Sequence, residues 1–140
     1  MAGYPDTVQI FTDGCAKGNP GPAGAGFVLK DAHGRVLFEA SIALGRATNN
    51  EAEYRALLLA LDHCVRGRVH HVVLFTDSLL MANQLNGIYR IRNGRLARLA
   101  EQAQALRHRF LTFQLKHIPR SRNVEADRLA NQAIDEADTA

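Results

Sequence analysis

The chain reads as a single α/β domain with the element order βββ-α-β-α-α-β-α. Three observations point to it. Five short runs of β-branched and aromatic residues are each closed by Gly, Pro, Asn or Asp, which is strand punctuation. Between and after them lie stretches rich in Ala and Leu, free of Gly and Pro and periodic at helical spacing. Finally, 140 residues with 46% hydrophobic and 22% charged content suit one globular core, with no repeat of domain size, linker or low-complexity segment.

Residues 7–13 (Thr-Val-Gln-Ile-Phe-Thr-Asp) form the first strand, and Gly14 to Gly24, centred on Asn19-Pro20-Gly21-Pro22, reads as a turn region. A second strand covers Ala25 to Lys30. Asp31-Ala32-His33-Gly34 makes a hairpin turn, and Arg35 to Ile42 is the third strand. Short connections make these three an antiparallel meander. Thr48-Asn49-Asn50 offers capping side chains for a helix from Glu51 to Val65, which Gly67 ends. His70 to Thr76 is the fourth strand. Because it follows a helix, it should run parallel to the first strand through a right-handed crossover. A short helix from Ser78 to Leu85 is broken by Asn86-Gly87, and a longer one spans Gly94 to Arg107. Phe110 to Ile118 alternates apolar and polar residues as a fifth strand until Pro119. Asn123 then caps a last helix to about Glu136. Residues 1–6 and 137–140 are expected to be flexible ends.

Charge is unevenly spread. The net charge is +3, but ten of the 17 Lys and Arg lie between Arg90 and Arg128, opposed there only by Glu101, Glu125 and Asp127. That bias favours a polyanionic partner over a membrane, and nothing calls for an obligate protein partner. No apolar run reaches the length of a membrane span. The start, Met-Ala-Gly-Tyr-Pro-Asp, lacks the features of a signal peptide, so a cytoplasmic location is expected. Cys15 and Cys64 are far apart, with neither zinc-knuckle nor disulfide spacing, and Cys64 reads as a buried thiol.

Phe-Thr-Asp occurs twice, at Phe11-Thr12-Asp13 and Phe75-Thr76-Asp77, each time closing a β-prone run. In open α/β sheets ligands bind beyond the carboxyl ends of the strands, where both aspartates fall. The long helix places apolar residues at Leu57, Ala60, Leu61 and Cys64, and a step of four back from Leu57 lands on Glu53 in its first turn. In the last helix the stripe is Val124, Ala130 and Ile134, and Asp127 falls on that line. Taken singly, each carboxylate has an ordinary explanation, a favourable charge at a helix N-terminus or a cap. Four converging on one partly buried place would repel strongly without a cation. Oxygen ligands without His or Cys suit Mg²⁺, with Mn²⁺ as substitute. Two such ions about 4 Å apart serve in-line displacement at phosphodiesters. A phosphoacceptor receiver domain also puts Asp at a strand end, but needs a helix after strand one where this chain has a Gly-Pro turn and a hairpin.

The runs Asp13-Gly14 with Gly18-Asn19-Pro20-Gly21-Pro22-Ala23-Gly24, Thr48-Asn49-Asn50-x-x-Glu53, Thr76-Asp77-Ser78 and Asn123-x-x-Ala126-Asp127-x-Leu129-Ala130 resemble type 1 ribonuclease H, in the expected order over nearly the whole chain. The resemblance implies an RNase H-like fold, a five-stranded mixed sheet of three antiparallel and two parallel strands flanked by helices. It implies hydrolysis of the RNA strand of an RNA–DNA hybrid with two Mg²⁺ ions, leaving 3′-hydroxyl and 5′-phosphate ends. By position Asp13 would bridge both ions, Asp127 would help hold the ion that activates water, and Glu53 and Asp77 the ion at the leaving 3′ oxygen. Asn19, Asn49 and Asn50 match residues that read the minor groove. Thr48 and Asn93 match a site for a phosphate of the DNA strand, and Ser78 joins the substrate contacts.

Three departures from the family stand out. Leu79 occupies a position where many members have Gln, and the Lys- and Trp-rich protrusion of some bacterial members is absent, leaving Arg90, Arg92, Arg95 and Arg98 to supply charge. Many members also carry a mobile His in a loop before the last helix. Here His117 falls at that spacing but within the fifth strand, and Arg120 in the loop Ile118-Pro119-Arg120-Ser121-Arg122 is the other candidate for the role. Without the protrusion, double-stranded RNA is an alternative substrate. A hybrid-binding module with a weak catalytic site is the non-enzymatic alternative.

Overall fold

The computed structural model describes residues 3–139. Its elements are β1 (Thr7–Ala16), β2 (Gly21–Lys30), β3 (Val36–Ala47), α1 (Asn49–Arg66), β4 (His71–Thr76), α2 (Leu79–Leu85), α3 (Gly94–Arg107), β5 (Thr112–His117), a 3-10 turn (Arg120–Arg122) and α4 (Val124–Thr139). The strands form one sheet in the order β3-β2-β1-β4-β5. β1–β2 and β2–β3 pair antiparallel. β1–β4 and β4–β5 pair parallel. The ends expected to be flexible lie partly outside the described residues. Within the described part Tyr4 OH meets His63 Nε2 at 2.8 Å, and Asp6 O accepts from His71 N at 2.9 Å. Among the described residues, no helix is long and apolar enough to cross a membrane.

Period-two alternation sends Val8 and Ile10 of β1, with Leu29, Val72 and Leu74 of its neighbours, onto one face. There they meet Tyr54, Leu57, Leu61 and Cys64 of α1. Met81 and Leu85 of α2 and Leu96 and Ala100 of α3 join this core. α4 packs on the opposite face, over β1, β2 and β3. Its buried stripe is Ala126, Leu129, Ala130, Ala133 and Ile134. Val124, expected on that stripe, is 62% exposed.

The expected turn region from Gly14 to Gly24 is mostly strand. β1 continues to Ala16 and β2 begins at Gly21, leaving only four residues between them. The glycines there serve close packing. A Cβ at Gly14 would strike the Ala52 carbonyl of α1, and one at Gly24 the Ala130 carbonyl of α4. β3 likewise runs on to Ala47, whereas β5 is shorter than expected.

Candidate active site

Asp13 lies inside β1, three residues after Ile10, the last of its buried apolar positions, and not at the strand's end as expected. What ends there is the parallel pairing with β4. Thr12 pairs with Thr76 as the last register partners, so Asp13 and Asp77 are the first residues beyond. Glu53 arrives from the second turn of α1, since the helix starts two residues earlier than expected, and the α1 backbone can approach because residue 14 has no side chain. Gly14 N–H donates to Glu53 Oε1 at 2.7 Å in a buried bond. One oxygen from each of Asp13, Glu53 and Asp77 lies within 4.8 Å of the others.

Asp127, in the first turn of α4, stands at the rim of this group. Its side chain is 31% exposed, 3.8 Å from the guanidinium of Arg120. Asn131 Nδ2 donates to its Oδ1 at 3.3 Å. The cleft so formed is also lined by Asn49, Asn50, Ser78, Leu79 and Leu80.

The electrostatics follow from the crowding. Burial first, then the charges of Glu53, Asp77 and Asp127, push the Asp13 carboxyl up to about 10. Burial also pushes Glu53 up, to about 8, against the Gly14 N–H that favours its ionised form. The donors are hard oxygens held close together, and the Arg120 guanidinium acts on Glu53 less than burial and the charge of Asp77 do. Arg120, at the rim, is 82% exposed. Such a set fits Mg²⁺ or Mn²⁺.

The other sequence-predicted residues divide into three groups. Asn49 and Asn50 are exposed at the start of α1 and do not cap it. The cap is Thr48, whose Oγ1 accepts from Glu51 N at 3.1 Å while Glu51 Oε1 accepts from Thr48 N at 3.2 Å, a capping box. Asn49 Oδ1 accepts from Ala16 N at 3.2 Å, and Asn19 Oδ1 accepts from Asn49 N at 3.0 Å, which ties the β1–β2 turn to α1. Ser78 and Asn93 are the caps of α2 and α3, so their side-chain oxygens are already engaged. Arg95 stands 4.0 Å from Glu51, bringing the capped ends of α1 and α3 toward each other. Arg120 lines the carboxylate cleft, whereas His117 is exposed at the end of β5, outside that lining.

One residue expected to cap α4 instead bonds into the carboxylate group. Asn123 is 1% exposed, and its Nδ2 donates to Thr12 O at 2.9 Å and to Asp77 Oδ2 at 3.1 Å. Its Oδ1 has no partner among the described residues, so the side chain does not cap α4. The Asn-x-x-Ala-Asp run was the available signal, but a polar residue just ahead of a helix has a simpler local explanation.

Residues 11–133 match the family described as reverse transcriptase-like. The crystal structure of RNase H1 from the archaeon Halobacterium salinarum superimposes with a TM-score of 0.91 at 38% identity, covering 93% of this chain and 98% of that one. The chain belongs to the type 1 ribonuclease H family. A second member of the family, the N-terminal RNase H domain of Rv2228c from Mycobacterium tuberculosis, gives a TM-score of 0.89 at 44% identity over 92% of this chain and 99% of that domain. The whole of Rv2228c is described as a bifunctional protein, and this chain spans 36% of its length. LC11-RNase H1, solved in complex with an RNA/DNA hybrid, is 38% identical, with a TM-score of 0.87 over 93% of this chain and 98% of that one.

Proposed function

We propose that the protein is a metal-dependent endoribonuclease that hydrolyses the RNA strand of RNA–DNA hybrids, leaving 3′-hydroxyl and 5′-phosphate ends. The observation that carries this reading is the approach of Asp13, Glu53 and Asp77 oxygens to within 4.8 Å in an open cleft, in a family whose member LC11-RNase H1 binds a hybrid. Asp13, as buried as Glu53 and crowded by the three other carboxylates, would help hold two divalent ions. Glu53 and Asp77 would complete one site and Asp127 the other. Bound divalent ions supply the Lewis acidity that activates water and neutralises the leaving 3′ oxygen.

The chain's own groups do the rest. Gly14 N–H holds Glu53 Oε1, orienting that carboxylate before any ligand arrives. Asn49 and Asn50 on the cleft wall, with Asn19 bound to Asn49, would donate to the minor groove, where the 2′-hydroxyls that distinguish RNA from DNA lie. The caps Thr48 and Asn93 would present the N-terminal N–H groups of α1 and α3, near Arg95, to a phosphate of the DNA strand. Arg120, exposed beside Asp127, would meet the phosphate being cut or released.

The test is cleavage of labelled hybrid, double-stranded RNA and single-stranded RNA in Mg²⁺, side by side with Asp13→Asn. We expect cutting of the hybrid's RNA strand and loss of that cutting in the variant. Equal cleavage by Asp13→Asn would overturn the assignment. Equal cleavage of double-stranded RNA would widen the substrate class.

A further inference from the structure

We propose that Asn123 is a positioning residue that holds the Asp77 carboxylate in its cation-binding geometry; the inference rests on the metal-dependent reading above. A primary amide buried to 1% exposure is costly unless its polar atoms are paired. Asn123 spends both N–H donors on one corner of the site, Thr12 O at 2.9 Å and Asp77 Oδ2 at 3.1 Å. Both partners are pure acceptors, which settles which end of the amide is the NH₂. Its Oδ1, the atom a helix cap would use, accepts nothing among the described residues. Ser, Thr or Asp would serve as a cap equally well. Only a side chain with two donors on one atom serves this geometry.

Asp77 needs such a hold. It sits at the end of β4, half-buried, beside Asp13 and Glu53, and terminal carboxylate torsions are soft. Repulsion from two neighbouring carboxylates would swing it outward toward water. The bond from Asn123 pins one oxygen, and no protein donor engages the other among the described residues. The same residue ties the site together through its backbone. Asn123 N donates to Arg120 O at 3.0 Å, and its carbonyl accepts from Asp127 N at 3.1 Å. Thr12, the acceptor of its other bond, immediately precedes Asp13. Asn123 therefore bonds to three of the segments around the carboxylates, through Thr12 beside Asp13, through Asp77 and through Asp127, and leaves only Glu53 of α1 without a link to it. A pinned Asp77 raises the fraction of molecules already competent to take a cation, and apparent affinity scales with that fraction.

The experiment titrates Mg²⁺ into nucleic-acid-free protein and follows the amide resonances of Gly14 and Ser78. Asn123→Ala removes both donors. Asn123→Leu removes them while filling the same space, which guards against a loss of folding in the alanine variant. We expect the apparent Mg²⁺ dissociation constant to rise about 10–100-fold in both, the range for loss of a group that orients a metal ligand. Hybrid cleavage should shift to the same higher Mg²⁺ requirement, with KM for hybrid changed by no more than about twofold. In an Asp77→Asn background, Asn123→Ala should weaken Mg²⁺ binding little further, because the two act through one carboxylate. Unchanged Mg²⁺ affinity in Asn123→Leu, or an equal loss with and without the Asp77 carboxylate, would overturn the inference. If wild type binds Mg²⁺ in this Asn123-dependent way yet leaves hybrid uncut, the ribonuclease reading fails and the positioning role stands.

Discussion

Phe11-Thr12-Asp13 and Phe75-Thr76-Asp77 lie side by side on β1 and β4, paired in register residue for residue up to Thr12 and Thr76. Their phenylalanines stack at 4.8 Å between ring centroids, and both threonines are fully buried. The aspartates nevertheless live differently. Asp13 is 5% exposed within a strand that continues, crowded by three other carboxylates. Asp77 is half-buried where its strand stops, and it receives a hydrogen bond from Asn123. The difference comes from the next residue. Gly14 lets β1 run on and α1 close over it, so Glu53 reaches the site. Ser78 instead turns the chain into α2, its Oγ accepting from Met81 N at 3.2 Å. Identical tripeptides thus become a central and a peripheral carboxylate because one successor permits close packing and the other caps a helix.

The most damaging way to break this asymmetry is at Gly14. In Gly14→Ala the new Cβ meets the backbone of Ala52 and Glu53, atoms that cannot move without shifting all of α1. Overpacking costs about 1–3 kcal/mol where side chains can yield, and a backbone clash should reach or exceed the upper figure. For a domain of this size, we expect the melting temperature to fall by about 10 °C and Mg²⁺ binding to be lost with Glu53 displaced. A variant as stable as wild type would show that α1 does not depend on this contact. The matching change on the other copy, Ser78→Gly, should cost only a few tenths of a kcal/mol.

A subtler probe is pH in metal-free buffer. Burial and neighbouring charge raise Asp13 to about 10 and Glu53 to about 8, far above ordinary carboxylates. Between that ordinary range and the raised values, the folded state binds more protons than the unfolded chain. Stability therefore falls as pH rises across the window, by up to about 1.4 kcal/mol per unit for each extra proton held. Melting temperature in EDTA should decline from pH 5 to pH 8, and saturating Mg²⁺ should flatten the decline. Asp13→Asn should make the slope shallower, and at pH 8 its melting temperature should be no lower than that of wild type. An unchanged slope in that variant would place the coupling elsewhere.

Much of this was legible in the sequence, because strand alternation, helix spacing and capping residues are local signals. The order of elements, the parallel pairing of the two Phe-Thr-Asp strands and the burial of Leu57, Ala60, Leu61 and Cys64 follow from such signals. What was misread depends on distant partners. Gly14 and Gly24 look like turn residues until Ala52 and Ala130 are packed against them. Val124 sits at helical spacing with Ile134, yet only the direction of α4 across β2 shows that it faces water. Asn123 looks like a cap because the helix follows it at once. Its actual partners, Thr12 and Asp77, are 111 and 46 residues away along the chain.

The smallest expected effect separates two roles for Ser78, which both caps α2 and lines the carboxylate cleft. α2 spans only Leu79–Leu85, so its first turn depends on that cap more than a long helix would. Ser78→Ala removes the acceptor for Met81 N and should cost about 1 kcal/mol, a shift of a few degrees in melting temperature. Ser78→Asp retains a cap acceptor and so should recover the α2 contribution, while adding a negative charge next to Asp77. If Ser78 only caps, Ser78→Ala cleaves hybrid with unchanged KM once assayed well below its melting temperature. If the hydroxyl also meets the substrate, KM rises in Ser78→Ala even there. Gly14 has no hydroxyl to lose, so only the β4 copy of the repeat can show this separation between stability and binding.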